Sequence, residues 1–163
     1  MSAAKLPKKA VAPKKAVAAK PAPPKKSPWL CKAGAKLRDQ LNDLHPDRDK
    51  KSDGWIGDPR HAESKSDHNP APPTMVVRAI DIDKDLDRED SLAARKLADK
   101  LIKLARAGEK RIQYVIFEGQ IASGTYSSMF FTWRPYDGQN QHDKHIHISF
   151  SPAGDDDSKP FNI

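Results

Sequence analysis

Apolar residues recur along this chain at two different periods, and the changes of period mark its elements. Leu30, Ala33, Leu37, Leu41 and Leu44 follow steps of three and four, which predicts an amphipathic helix that begins after Pro28 and is ended by Pro46. Leu97, Leu101 and Leu104 predict a second helix, with Asp90 or Ser91 as its N-cap and Gly108 at its C-terminal stop. Its leucine stripe reads as a packing face. Alternation predicts strands over residues 76–83 and 145–150. Residues 112–117 and 128–133 are expected as two further strands, separated by a turn region from Gly119 to Gly124. Residues 45–75 instead carry Asp, Pro, Gly and Ser, with Ser52-Asp53-Gly54 and Asn69-Pro70 as turn signals, and predict a long irregular connection. Loops of that length inside a domain are commonly functional, and Trp55, Ile56 and His68 within it point the same way. The expected fold class is α+β, a central antiparallel sheet with two main helices in a single domain.

Two of these strands carry chemistry. In the segment 145–150, strand geometry places His145 and His147 on one face and Ile146, Ile148 and Phe150 on the other. In the segment 79–83, Asp81 and Asp83 share a face while Ile80 and Ile82 point the opposite way. If the two strands lie in one sheet, their Ile and Phe side chains feed a core, and two imidazoles meet two carboxylates on the other surface. His68, from Ser66-Asp67-His68 in the long connection, completes the set. A hydrolytic zinc ion takes three ligands from His and Asp or Glu and keeps one position for water. His68, Asp81 and His147 supply such a set, with His145 beside the open position. Asp83 is expected either to orient a ligand histidine or to end the strand in solvent.

Composition separates a tail from this body. Residues 1–26 hold eight Lys, five Pro and no acidic residue, so the formal charge of +7 divides into +8 for this segment and −1 for the rest. Lys-Lys-Ala-Val-Ala occurs twice within it. Such a segment cannot bury enough apolar surface to offset chain entropy, and residues 1–27 are read as a disordered basic arm. The arm is either a solubilising leader or an attachment to an anionic polymer, a cell-wall polyanion or a nucleic acid. The domain is expected over 28–152, and 153–163, with Asp155-Asp156-Asp157, as a solvated C-terminal tail. No apolar run reaches the length of a secretory core or a membrane span. Cys31 is the only cysteine, which excludes an intramolecular disulfide and a cysteine-based zinc site; it reads as a buried structural thiol.

The order Ser66-Asp67-His68, Ala79-Ile80-Asp81, His145-Ile146-His147 resembles that of the zinc peptidases that cut peptidoglycan stem peptides, the D-Ala-D-Ala carboxypeptidase and L-alanyl-D-glutamate endopeptidase group. The stretch from Trp29 to Phe150, including Ser52-Asp53-Gly54-Trp55-Ile56-Gly57-Asp58 and Trp133-Arg134-Pro135-Tyr136, is similar to the catalytic domains of phage endolysins that act on actinobacterial walls. The resemblance implies one Zn2+ on His68, Asp81 and His147, with His145 as the catalytic partner. It also implies a substrate in the peptidoglycan stem peptide, and a protein held in the host cytoplasm until lysis or carried in the virion. Two features depart from the group's pattern. Twelve residues separate His68 from Asp81, a longer spacer than is usual, and Lys144 stands where many members carry a carboxylate. Base duty then falls to His145, His142 or Asp143, and strand direction favours His145. Ser66 binds substrate or shapes its turn. Arg38, Arg60 and Arg134 are the candidates for a substrate-holding arginine, and Trp55, Trp133 and Tyr136 either line the cleft or pack in the core. The domain is expected to be a monomer.

Three other functions fit parts of the sequence. A metal-dependent nuclease fits the arm and His68-Asn69, but a body of charge −1 lacks the basic surface that a phosphate backbone requires. A two-histidine phosphoesterase needs a second His-x-Ser element beside His147-Ile148-Ser149, and none occurs. A non-catalytic phage module could retain every ligand, and only zinc content and activity separate it from an enzyme.

Overall fold

The computed structural model describes residues 27–58, 65–125 and 127–163. Except for Ser27 the basic arm lies outside the described residues, as does Arg60. Trp29–Leu30 (β1) pairs in parallel with Val76–Val77 (β2), and between them run the helix Lys32–Leu44 (α1) and the long connection. Ala79–Asp83 (β3) follows, then the helix Ala93–Arg106 (α2) and the hairpin of Ile112–Phe117 (β4) with Gln120–Ser123 (β5). Arg134–Pro135 (β6) and His145–Phe150 (β7) complete the fold. The five-stranded sheet has the order β3-β7-β4-β5-β6, with every neighbouring pair antiparallel.

β7 therefore lies between β3 and β4, although it is last in the chain. Its alternation is obeyed: Ile146, Ile148 and Phe150 are fully buried, and they meet Ile80 and Ile82 of β3 and Val115 and Phe117 of β4. Leu37 and Leu41 of α1 and Leu97, Ala98, Leu101 and Ile102 of α2 close over the same apolar face. Two helices on one face of an antiparallel sheet make a two-layer α+β domain. The face left uncovered by the helices is the one that carries His145, His147 and Asp81.

Several local expectations are corrected. The strand expected over 76–83 is divided at Arg78, whose guanidinium makes a bidentate ion pair with Asp155 at 2.6 Å and whose carbonyl accepts the Phe150 N–H. No strand forms at 128–133: Ser127–Met129 is a 3-10 turn, and Phe131, at φ 46°, turns into the core. The region from Gly119 to Gly124, read as a turn, contains β5, because the chain reverses within Glu118-Gly119, both at positive φ. The N-cap position of α2 is Leu92, and Asp90 acts two residues earlier by accepting the Leu92 N–H.

The segment 153–163 is not a solvated tail. Phe161 is buried against Phe150, the Arg111 guanidinium lies 4.0 Å from its ring centre, and Gln40 makes a two-way hydrogen bond with its backbone. Cys31 is fully buried, and burial pushes its thiol pKa up to about 11, as an unreactive structural thiol requires.

Candidate metal centre

Asp81 and His147 face each other across the β3–β7 ladder, as do Asp83 and His145. Cross-strand partners project on the same side of a sheet, so this register brings a carboxylate and an imidazole together without help from any loop. His68 arrives from the long connection, which is fastened on both sides of the site. Gly54 bridges to Asp81 through reciprocal backbone hydrogen bonds, and the Gly57 N–H donates to the His68 carbonyl. A single turn, Ser66-Asp67-His68-Asn69, then aims the imidazole: Ser66 Oγ accepts the His68 N–H, and the Ser66 carbonyl accepts the Asn69 N–H.

Three atoms converge. His68 Nε2 lies 3.2 Å from Asp81 Oδ1 and 3.1 Å from His147 Nδ1, and His147 Nδ1 lies 3.0 Å from Asp81 Oδ1. Donor atoms around a tetrahedral zinc with bonds of ~2.0–2.1 Å stand ~3.3 Å apart, so the triangle is close to one face of that tetrahedron. The outer nitrogens support the same reading. His68 Nδ1 sits 3.1 Å from the Trp55 carbonyl, which can only accept, so this nitrogen carries the proton and Nε2 offers its lone pair inward. Among the described residues this is the one group of three such side chains that can hold a metal ion.

The electrostatics of the triangle are those of a ligand set. Burial raises the Asp81 pKa, but its contacts with His147 and His68 outweigh it and hold the carboxyl well below the usual carboxylate range. Burial lowers the pKa of His147, more than its contact with Asp81 raises it, so that ring stays neutral and available as a ligand. Burial also works against protonation of His68, but the Asp81 hydrogen bond and charge prevail and raise its pKa. A proton on His68 therefore competes with a metal ion. Zinc affinity is expected to fall as pH drops through the raised His68 pKa, by about tenfold per pH unit for one displaced proton. Titrations with zinc at pH 8, 7 and 6 against a competing chelator check this; a pH-independent affinity would refute it.

Around the triangle stand two more histidines. His145 Nε2 is 3.7 Å from Asp81 Oδ1, beside the three converging atoms and not among them, with its side chain 16% exposed. His142 is nearly buried, at φ 56°, with its ring centre 5.1 Å from that of His145 and 5.3 Å from that of His147. Its Nδ1 has no hydrogen-bond partner among the described residues, and burial, followed by the neighbouring imidazoles, pushes its pKa down to about 4. Tyr136 lies against its ring at 5.6 Å.

The other expected contributors have partners of their own. Asp83 is buried, but its carboxylate accepts the N–H groups of Ser52 and Asp85, which fixes the loop against β3; it neither orients a histidine nor ends in solvent. Trp133 donates to Asp99 on α2 and packs against the core, and Trp55 reaches the site through its carbonyl. Arg38 pairs with Asp39 on α1 at 3.9 Å, and Arg134 Nη2 donates to Ser123 Oγ. Sequence reading missed Asp67 and Ser149, whose hydrogen bond lies behind His147. Its only trace in the sequence is their position one and two residues from a ligand histidine.

Compared with known proteins, the chain matches no family model, no curated protein sequence and no solved structure. No helix among the described residues is long and apolar enough to cross a membrane. The structure establishes the α+β fold and a His-His-Asp triad that could hold one metal ion, and a metal-dependent hydrolase is the most that they suggest.

Proposed function

We propose that the chain is a zinc-dependent peptidase that cleaves a peptide bond of the peptidoglycan stem. The observation that carries this reading is the convergence of His68 Nε2, Asp81 Oδ1 and His147 Nδ1 within 3.2 Å of one another. Two neutral imidazoles and one carboxylate suit zinc, and leave the ion a net positive charge. Zinc bound there supplies a Lewis acid, which brings the pKa of water toward ~7 and polarises a carbonyl. The order of the motifs that carry these residues resembles that of peptidoglycan stem-peptide peptidases, and this resemblance is what points to the stem peptide as substrate.

The protein's own residues then divide the work. His145, next to the triad and partly open to solvent, accepts the proton of the attacking water at Nε2 and returns it to the leaving amine. His142 packs against His145 and stands second for that duty. Ser66 sits at the start of the His68 turn and is assigned to substrate contact as well as to shaping that turn. The uncharged balance of the body speaks against a nucleic-acid substrate, and the reading places the protein at the wall after host lysis or in the virion. The test is digestion of purified peptidoglycan followed by mass spectrometry of the fragments. New stem-peptide termini that vanish with a chelator and return with zinc are expected. Intact peptidoglycan with the zinc-loaded protein, or release of nucleotides from DNA in a parallel reaction, would overturn the assignment.

The basic arm fits attachment to a polyanionic wall. Deleting residues 1–26 removes a charge of +8 and is expected to leave hydrolysis of soluble muropeptides unchanged while weakening adsorption to anionic walls at low salt. Pelleting assays at two salt concentrations check this. Equal adsorption with and without the arm would remove its electrostatic role.

A further inference from the structure

The last ligand is held from behind by a connection that no motif contains. His147 Nε2 lies 3.3 Å from Ser149 Oγ, and that hydroxyl donates a 2.7 Å hydrogen bond to Asp67 Oδ2. A serine hydroxyl has one proton. Since that proton goes to the carboxylate, the oxygen offers only lone pairs to His147, and Nε2 must carry the imidazole proton. His147 Nδ1 is left with its lone pair toward His68 Nε2 and Asp81 Oδ1. Ser149 is fully buried and His147 is 5% exposed, so water does not compete for these bonds. Tyr114 stacks on the ring of His147 at 5.5 Å and 17°, which fixes its plane.

We propose that Asp67, acting through Ser149, is a positioning residue of the metal centre: it sets His147 in the Nε2–H form and turns Nδ1 toward the ion. The inference rests on the metal reading of the triad. Asp67 also belongs to the turn that presents His68, and its backbone carbonyl accepts the Arg78 N–H just before β3. Its bond to Ser149, across 82 positions of sequence, thus ties the turn that presents His68 to the strand that presents His147. The two histidines are set to coordinate through opposite nitrogens, His68 by Nε2 with the Trp55 carbonyl behind it and His147 by Nδ1 with Ser149 behind it.

Without the Asp67 carboxylate the Ser149 hydroxyl loses its charged acceptor and can donate to Nε2 or to the Tyr114 hydroxyl, and donation to Nε2 favours the wrong tautomer. Asp67→Ala and Ser149→Ala are therefore expected to weaken zinc binding by ~10–100-fold in chelator competition, the range for an outer partner of a metal ligand. Asp67→Asn, which keeps an acceptor oxygen, and Ser149→Thr, which keeps the hydroxyl, should retain most of the affinity. Long-range nitrogen–proton NMR of the zinc-loaded unaltered protein gives a second readout that needs no variant: His147 should show a protonated Nε2 and a metal-bound Nδ1. Zinc held through Nε2, or affinities of both alanine variants within twofold of the parent, would overturn the proposal. Failure of the unaltered protein to bind zinc would instead remove the metal reading beneath it.

Discussion

His147→Ala is expected to leave a folded protein that no longer retains zinc. Two of the three converging atoms remain in the variant, His68 Nε2 and Asp81 Oδ1, and two ligands do not hold zinc against a chelator. The loss should exceed the ~10–100-fold that follows removal of a mere outer partner. Activity on peptidoglycan should disappear with the metal. The hole left by the imidazole opens on the polar face of β7, away from Ile146, Ile148 and Phe150, so the apolar layer that holds the sheet to the helices stays intact. Metal content after dialysis, read beside far-ultraviolet circular dichroism, is the measurement. A variant that keeps one zinc per chain at the parent affinity would show that the triad is not the metal centre.

His145→Ala should give the opposite pattern, zinc retained and turnover lost. Its Nε2 lies 3.7 Å from the shared carboxylate oxygen, outside the triangle of 3.0–3.2 Å, so its removal takes no ligand from the ion. The expected fall in turnover is ~10²–10⁴-fold, the usual contribution of one positioned acid or base. Zinc content and the rate of stem-peptide cleavage, measured on the same preparation, decide the matter. If His145→Ala lost the metal while His147→Ala kept it, the roles of ligand and catalyst would be exchanged.

The parts of this architecture that were legible in sequence are those where one face of an element is buried. Ile146, Ile148 and Phe150 alternate with His145 and His147 because the helices cover one side of β7 only, and the same asymmetry makes Ile80 and Ile82 readable in β3. The convergence of His68, Asp81 and His147 followed from that alternation together with the His68 turn. The illegible parts depend on contacts between distant segments. Glu118-Gly119 lacks the Asn-Gly or Asp-Gly pair that usually announces a two-residue hairpin, and β5 was hidden with it. Phe130 and Phe131 look like strand residues, but one is exposed and the other fills space beside Gly124. Asp155 reads as one of three solvated acids until Arg78 is seen to claim it, and Asp67 reads as a spacer until Ser149 lies beneath it. Phe161, a lone aromatic in a polar terminus, was the one available signal that the last residues dock.

The bridge between Gly54 and Asp81 has a consequence for how an extended peptide approaches. On the outer margin of β3 the Asp81 N–H and carbonyl are already engaged by Gly54 and the Asp83 N–H by the Asp53 carboxylate, and the opposite margin is a two-residue strand that contains Pro135. Both borders of the sheet are thereby blunted against strand addition. Under the proposed function a stem peptide therefore lies across the imidazole-bearing surface, where side chains, and not a lengthened ladder, select the bond to be cut.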